Sequence, residues 1–237
     1  MSQISVNLIA ISIFLITLTT LLGSIIHLSP FIPALTTFLI LGIVTLDSLG
    51  LQGKGGTLVI DWLSRFSPEY SDRIVYHEAG HFIIAYLLQI PITGYTLSAW
   101  ESWKQGIPGT GGVIFADHEL TAQLETRKIN AQRLDHYCIC WMAGIAAEKL
   151  VFNSANGGAD DMRKLNQVMF SLGFSAELRQ QKQRLYLLQA KNLLSQNWSS
   201  YTDLVKAMRE NSSVEDCQQV IEGKTAKDSC KIVEPKQ

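Results

Sequence analysis

The stretch Ile74-Val-Tyr-His77-Glu78-Ala79-Gly80-His81-Phe-Ile-Ile-Ala-Tyr-Leu-Leu88 decides how this chain is read. Its apolar periodicity predicts a helix. His77 and His81 are four residues apart, so both imidazoles leave one helix face a turn apart. Two neutral imidazoles at that separation can bind one zinc ion. Glu78 is rotated by about 100° around the helix from His77, which sets it beside the ion rather than on it. There it can act as a catalytic base, taking a proton from water that the metal has made acidic. The plain alternative is a core helix with hydrogen-bonded, metal-free histidines. Its flanks argue against that, because Ile74, Val75, Phe82, Ile83, Ile84, Leu87 and Leu88 make burial of an uncompensated Glu and two His costly. Gly80 costs about 1 kcal/mol in a helix relative to Ala, which implies close approach by another backbone or by a substrate.

A catalytic zinc takes three protein ligands. His118 and His136 are candidates for the third. The four cysteines are weaker ones: Cys138 and Cys140 face apart on a predicted helix, and Cys217 and Cys230 sit in a polar tail with no CxxC spacing. A carboxylate from Asn156-Gly157-Gly158-Ala159-Asp160-Asp161-Met162 is the better donor. This glycine-rich turn precedes a helix predicted over 162–172, and its two Asp are equally suited to capping that helix and to its dipole.

Around these segments the pattern is mainly α with a small β-hairpin. Residues 93–98 and 111–115 read as short strands flanking a Gly/Pro-rich stretch. Gly112, Val113, Ile114 and Phe115 form a candidate substrate-binding edge strand, since extended peptides can pair with such an edge; an ordinary hairpin is the alternative. Residues 134–152 predict an apolar helix whose small members, Ala143, Gly144, Ala146 and Ala147, can pack on the His77 helix. Two polar-faced helices are predicted over 177–196 and 201–209. The tail from Asn211 is polar and is expected to be mobile beyond Lys224.

Upstream the composition changes. The 237 residues carry 20 Lys+Arg and 21 Asp+Glu, and so balanced a charge excludes a nucleic-acid binder, which needs a basic face. Charged residues are 17% of the chain, yet Asp47 is the only one before Lys54. Ile4–Ile26 is a run of 23 uncharged residues and Phe31–Leu46 one of 16, lengths near those that span a bilayer. The expectation is an N-terminal transmembrane helical hairpin. A cleaved signal peptide is less suitable, because no Lys or Arg precedes the run; a single span with a re-entrant second segment is the other option. Lys54, Arg65 and Arg73 follow the second run, which by the positive-inside rule puts the downstream domain on the cytoplasmic or stromal side. Residues 57–66 have the amphipathic spacing of an interfacial helix. The expected organisation is a transmembrane hairpin and linker over 1–53, a connecting helix over 54–72, a metallopeptidase-like domain over 73–210 and a tail over 211–237.

Tyr76-His-Glu-Ala-Gly-His81, the segment 135–152 and Gly157-Gly-Ala-Asp-Asp161-Met together resemble the peptidase domain of the FtsH family of membrane zinc proteases, in order and interval, across about residues 70–172. The resemblance implies a largely helical zinc-peptidase domain with Zn2+ as cofactor, held by His77, His81 and Asp161, and Glu78 as the catalytic base. Asp160 falls at the preceding, non-ligand position. The chain departs from the family in showing no ATPase module, in the short link between its two apolar runs, and in Ala143 and Ile145 where the pattern has Gly and Arg. The expected activity is therefore a membrane-anchored zinc metalloendopeptidase in a bacterial inner or thylakoid-type membrane. It would hydrolyse membrane or membrane-adjacent proteins, with a separate ATPase as a possible partner and a homo-oligomer as a possible assembly. A catalytically silent scaffold or assembly factor for a membrane complex is the alternative. An intramembrane protease of the site-2 type fits less well, because Met162-Arg-Lys-Leu-Asn-Gln167 is too polar to span.

Overall fold

The computed structural model describes residues 3–23, 27, 29, 31–50, 68–98, 104, 112–126 and 129–231. The chain divides into two compact units, Met1–Pro68 with Ser98–Thr110 and Glu69–Leu97 with Gly111–Gln237. The expected helix over 57–66 and most of the Gly/Pro-rich stretch between the strands lie outside the described residues.

In the first unit, the apolar runs form helices α1 (Gln3–Leu22) and α2 (Phe31–Gly50), which touch each other. Thr17, Thr19 and Thr20 in α1 and Thr36, Thr37 and Thr45 in α2 each turn the hydroxyl back to the carbonyl four residues earlier, the usual internal partner for such a group in a helix. Among the described residues no helix is long and apolar enough to cross a membrane. This corrects the expected transmembrane hairpin, and with it the two-span integral placement in a bacterial inner or thylakoid-type membrane. A count of uncharged residues overstates apolarity. The run to Ile26 passes the end of α1 at Leu22, and α2 holds Pro33, three threonines and Asp47 within its 20 residues.

The second unit is mainly helical with one small sheet, as its periodicities predict. Helix α3 (Pro68–Leu87) opens on a proline, whose missing N–H costs nothing in the first turn. The chain then reverses through Gln89, at φ 56°, into β1 (Ile92–Thr96), which pairs antiparallel with β2 (Gly112–Phe115). Tyr95 faces Val113 and Thr96 faces Gly112, with an irregularity between Ile92 and Gly94. Five helices follow after a short α4 (His118–Thr126): α5 (Ala131–Phe152), α6 (Ala159–Ser171), α7 (Ala176–Gln196), α8 (Trp198–Arg209) and α9 (Val214–Lys231).

Helix α5 is the centre of the core. Asn130 caps its N-terminus by accepting from the Arg133 amide at 3.2 Å. Every residue from Tyr137 to Glu148 is buried, so the helix is enclosed on all sides. Against it lie α7 and α6, and on another side α3, whose Phe82, Ile83, Ile84 and Ala85 are also buried. The α3–α5 contact depends on small residues. A Cβ on Gly80 would lie 2.8 Å from Ala147 Cβ and 2.9 Å from the Ala143 carbonyl oxygen, closer than packed atoms tolerate. The close approach expected from Gly80 is thus made by α5, and it brings the faces carrying His77 and Glu148 together.

The first part of the polar tail packs on the domain. Cys217 and Ile221, four residues apart on α9, are fully buried and join the core alongside α8. Two apolar residues one turn apart are enough to dock a helix that is otherwise polar.

Candidate metal centre

His77 and His81 leave α3 one turn apart, and Asp161 comes to them from the first turn of α6. Their ligand atoms all lie within 4.8 Å of one another. The Asp161 carboxylate Oδ2 is 3.2 Å from His77 Nε2 and 3.4 Å from His81 Nε2. Both imidazoles are buried. Two imidazole nitrogens and one carboxylate oxygen, converging in a mostly buried place, are a donor set that can hold a metal ion.

The other ring nitrogens set the tautomers. His81 Nδ1 lies 2.8 Å from the Cys140 carbonyl oxygen. A carbonyl only accepts, so Nδ1 carries a proton, and Nε2, which faces Asp161, is the nitrogen left to bind a metal ion once its own proton is lost. His77 Nδ1 donates in the same way to Glu148 Oε1 at 2.7 Å. Glu148 is itself almost fully buried, and its oxygens take further donors: the Gly157 amide at 3.0 Å on Oε1 and the Asn156 amide at 2.8 Å on Oε2. Such outer partners orient ligating imidazoles and raise their basicity.

Asp161 reaches the pair because of how α6 starts. Gly158 takes the cap position in the left-handed conformation, φ 84°, with no side-chain cap. A Cβ there would sit 2.2 Å from Ile145 Cγ1. Helix α6 consequently begins at Ala159, earlier than predicted, and neither Asp caps it. Asp160 points outward to Arg163 at 2.7 Å, while Asp161 turns in to the imidazoles.

The electrostatics follow from this crowding. Burial pushes the His77 imidazole down, but its hydrogen bonds to Asp161 and Glu148 more than reverse that and raise it to about 9. His81 is likewise raised well above its ordinary value, burial being outweighed by the Asp161 charge and hydrogen bond. Asp161 moves the opposite way: burial would raise it, but the two imidazoles hold it far below the carboxylate range. Glu148 is also lowered, by His77 and the two backbone amides acting against burial.

Glu78 stands beside the cluster. Burial raises its carboxyl above the ordinary range, and the neighbouring His81 and His77 pull against that shift. Its Oε2 accepts from the Val113 amide at 3.1 Å, so the first residues of β2 lie against it. Gly112, at φ 146°, lies beside it too, since a Cβ there would be in van der Waals contact, 3.6 Å from the same oxygen.

The structure therefore brings His77, His81 and Asp161 together, with Glu78 and the strand Gly112–Phe115 alongside. It does not bring the other candidates there. His136 Nδ1 lies 3.2 Å from the Leu88 carbonyl oxygen, and His118 is exposed at the start of α4. Cys138, Cys140 and Cys217 are free and buried, with burial raising each thiol. Among the described residues, Glu148 is the functional neighbour that spacing alone does not reveal, because it meets His77 across 71 residues of sequence. No model of a known protein family matches the chain, and no curated protein matches it either.

Proposed function

We propose that this chain is a zinc metalloendopeptidase that cleaves extended peptide segments. One observation carries the reading: two imidazole Nε2 atoms and the Asp161 carboxylate converge within 4.8 Å, with a raised, half-buried Glu78 on the next position of the same helix. The sequence resemblance to FtsH-type peptidase domains supports the same assignment.

His77, His81 and Asp161 would hold the ion, and the nitrogen and oxygen donors suit zinc. When bound, zinc supplies Lewis acidity to the scissile carbonyl and to the attacking water. Glu78 accepts the proton and returns it to the leaving amine, and its raised affinity for protons suits both halves of that transfer. The Val113 amide fixes one carboxylate oxygen and leaves the other for this work. Gly112, Val113, Ile114 and Phe115 lie next to the base, where an extended peptide can pair with the strand's backbone.

The test is hydrolysis of a dye-labelled unfolded protein by the full chain, with bound zinc quantified and Glu78→Gln as the control. The expected result is a rate lower by on the order of 10²–10⁴-fold in Glu78→Gln, with zinc content unchanged. Zinc binding with no cleavage by either protein would contradict the peptidase assignment and favour a metal-holding scaffold.

A further inference from the structure

The face of α3 that carries the two imidazoles begins a turn earlier, at Arg73. Residues 73, 77 and 81 follow one another at intervals of four, and so share one stripe. The Arg73 side chain is only 12% exposed. Its guanidinium carbon lies 4.3 Å from the centre of the Phe152 ring, a contact that favours a flat, delocalised cation.

Its donors fork in two directions. Nε and Nη2 reach Glu69 Oε1 at 3.2 and 3.1 Å, within α3. Nη1 reaches Glu148 Oε2 at 3.4 Å and the Ser154 carbonyl oxygen at 3.3 Å, and Nη2 reaches Ser154 Oγ at 3.4 Å. The contact with Glu69 is an i,i+4 pair whose carboxylate is 70% exposed, a kind that contributes little. The contacts with Glu148 and Ser154 are different. Glu148 orients His77, and Ser154 opens the turn that runs through Asn156, Gly157 and Gly158 to Asp161.

We infer that Arg73 is a positioning residue for the metal centre. It touches no ligand atom. It fixes the Glu148 carboxylate and the start of the 154–158 turn at once, so that His77 on one helix and Asp161 on another stay in register. A lysine keeps the charge but offers one ammonium in place of a fork, and cannot span Glu148, Ser154 and Glu69 together. This inference rests on the metal site proposed above and extends it to a residue outside the donor set.

The experiment compares the full chain with Arg73→Met, Arg73→Lys and Glu69→Gln. Zinc affinity is read by competition with a chromophoric chelator, ligand geometry by the visible spectrum of the cobalt-substituted protein, and folding by melting of the metal-free forms. Arg73→Met is expected to bind zinc roughly 10–100-fold more weakly, as losses of outer-shell support do, with weakened cobalt bands. Arg73→Lys should fall between it and the parent while melting like the parent. Glu69→Gln should leave affinity unchanged. Parental affinity in Arg73→Met overturns the inference, as does an equal loss in Glu69→Gln. If Arg73→Met does not fold, Arg73→Lys decides, and unchanged affinity there overturns it. A parent chain that binds no zinc removes the metal site itself, whereas a zinc-binding parent with unaffected Arg73 variants removes only the role of Arg73.

Discussion

The imidazole of His77 lies directly over Gly144: a Cβ built on that glycine would be 2.2 Å from His77 Nε2. The ring is pressed between α5 beneath it, Glu148 on one nitrogen and Asp161 on the other. The absence of a side chain at 144 is therefore a condition for the proposed metal centre.

Gly144→Ala should accordingly expel the imidazole from its position. Zinc affinity is expected to fall by about two orders of magnitude or more, because one ligand is lost from a three-ligand site. Overpacking costs on the order of 1–3 kcal/mol as well. Chelator competition and thermal melting of the same preparation separate the two effects. Affinity equal to that of the parent would show that His77 does not need this space.

Gly158→Ala makes a second steric test, because it has a matched control. Gly158 and Gly173 both have left-handed backbones, φ 84° and 82°. A Cβ at 158 would meet Ile145 Cγ1 at 2.2 Å, whereas at 173 nothing lies within 4 Å. Both substitutions carry the left-handed backbone cost of roughly 1–2 kcal/mol. Only Gly158→Ala should also displace the start of α6 and Asp161 with it. Melting is expected to fall in both variants and zinc affinity in Gly158→Ala alone.

Much of this centre was legible in the sequence, for a physical reason. Ligands four residues apart on a helix, small residues along 143–147 and short strands flanking a Gly/Pro-rich stretch are local patterns, and local patterns survive in a one-dimensional reading. The rest is not local. Glu148 meets His77 through a fold that brings α5 onto α3. The Cys140 carbonyl that orients His81 is backbone, and no residue type announces it. The start of α6 depends on Gly158 taking a left-handed cap, which moves Asp160 and Asp161 inside the helix. Cys217 and Ile221 give α9 a buried face that its polar composition conceals. At the N-terminus, residues without charge are not the same as residues apolar enough to span, and the reading of two spans failed on that distinction.

Glu148→Gln tests the support under His77. The carboxylate accepts from His77, Arg73 and the amides of Asn156 and Gly157. A glutamine keeps one acceptor oxygen and turns an amide NH2 towards groups that donate. Leaving buried donors unsatisfied costs about 1–3 kcal/mol, and zinc affinity should fall roughly 10–100-fold. Denaturant titration and chelator competition read the two quantities. Unchanged affinity would remove Glu148 from the account of the site.

The pH dependence has a defined sign. With His77 held up at about 9 and His81 also raised, the metal-free site carries protons on its imidazoles at neutral pH. Zinc must displace them, so its apparent affinity should rise with pH and level off above about 9. Stability of the metal-free chain runs the other way. The raised His77 contributes fully below its ordinary value of 6.5 and loses that contribution as pH rises through about 9. The lowered Asp161 contributes above the ordinary carboxylate range and loses that contribution progressively as pH falls below it. Metal-free protein should therefore be most stable between about pH 4 and 6.5, with the advantage conferred by zinc growing from there towards 9. Chelator competition and melting across pH 5–9.5, with and without zinc, give both curves; affinity falling as pH rises would contradict the assignment of the imidazoles as ligands.

The most direct measurement is metal stoichiometry. The purified chain, its His77→Ala, His81→Ala and Asp161→Ala variants, each checked for folding by melting, are equilibrated with limiting zinc, dialysed and analysed for metal by emission spectrometry. The account predicts one zinc per chain in the parent and almost none in any folded variant. Zinc absent from the parent, or retained in full by a folded Asp161→Ala, would contradict it.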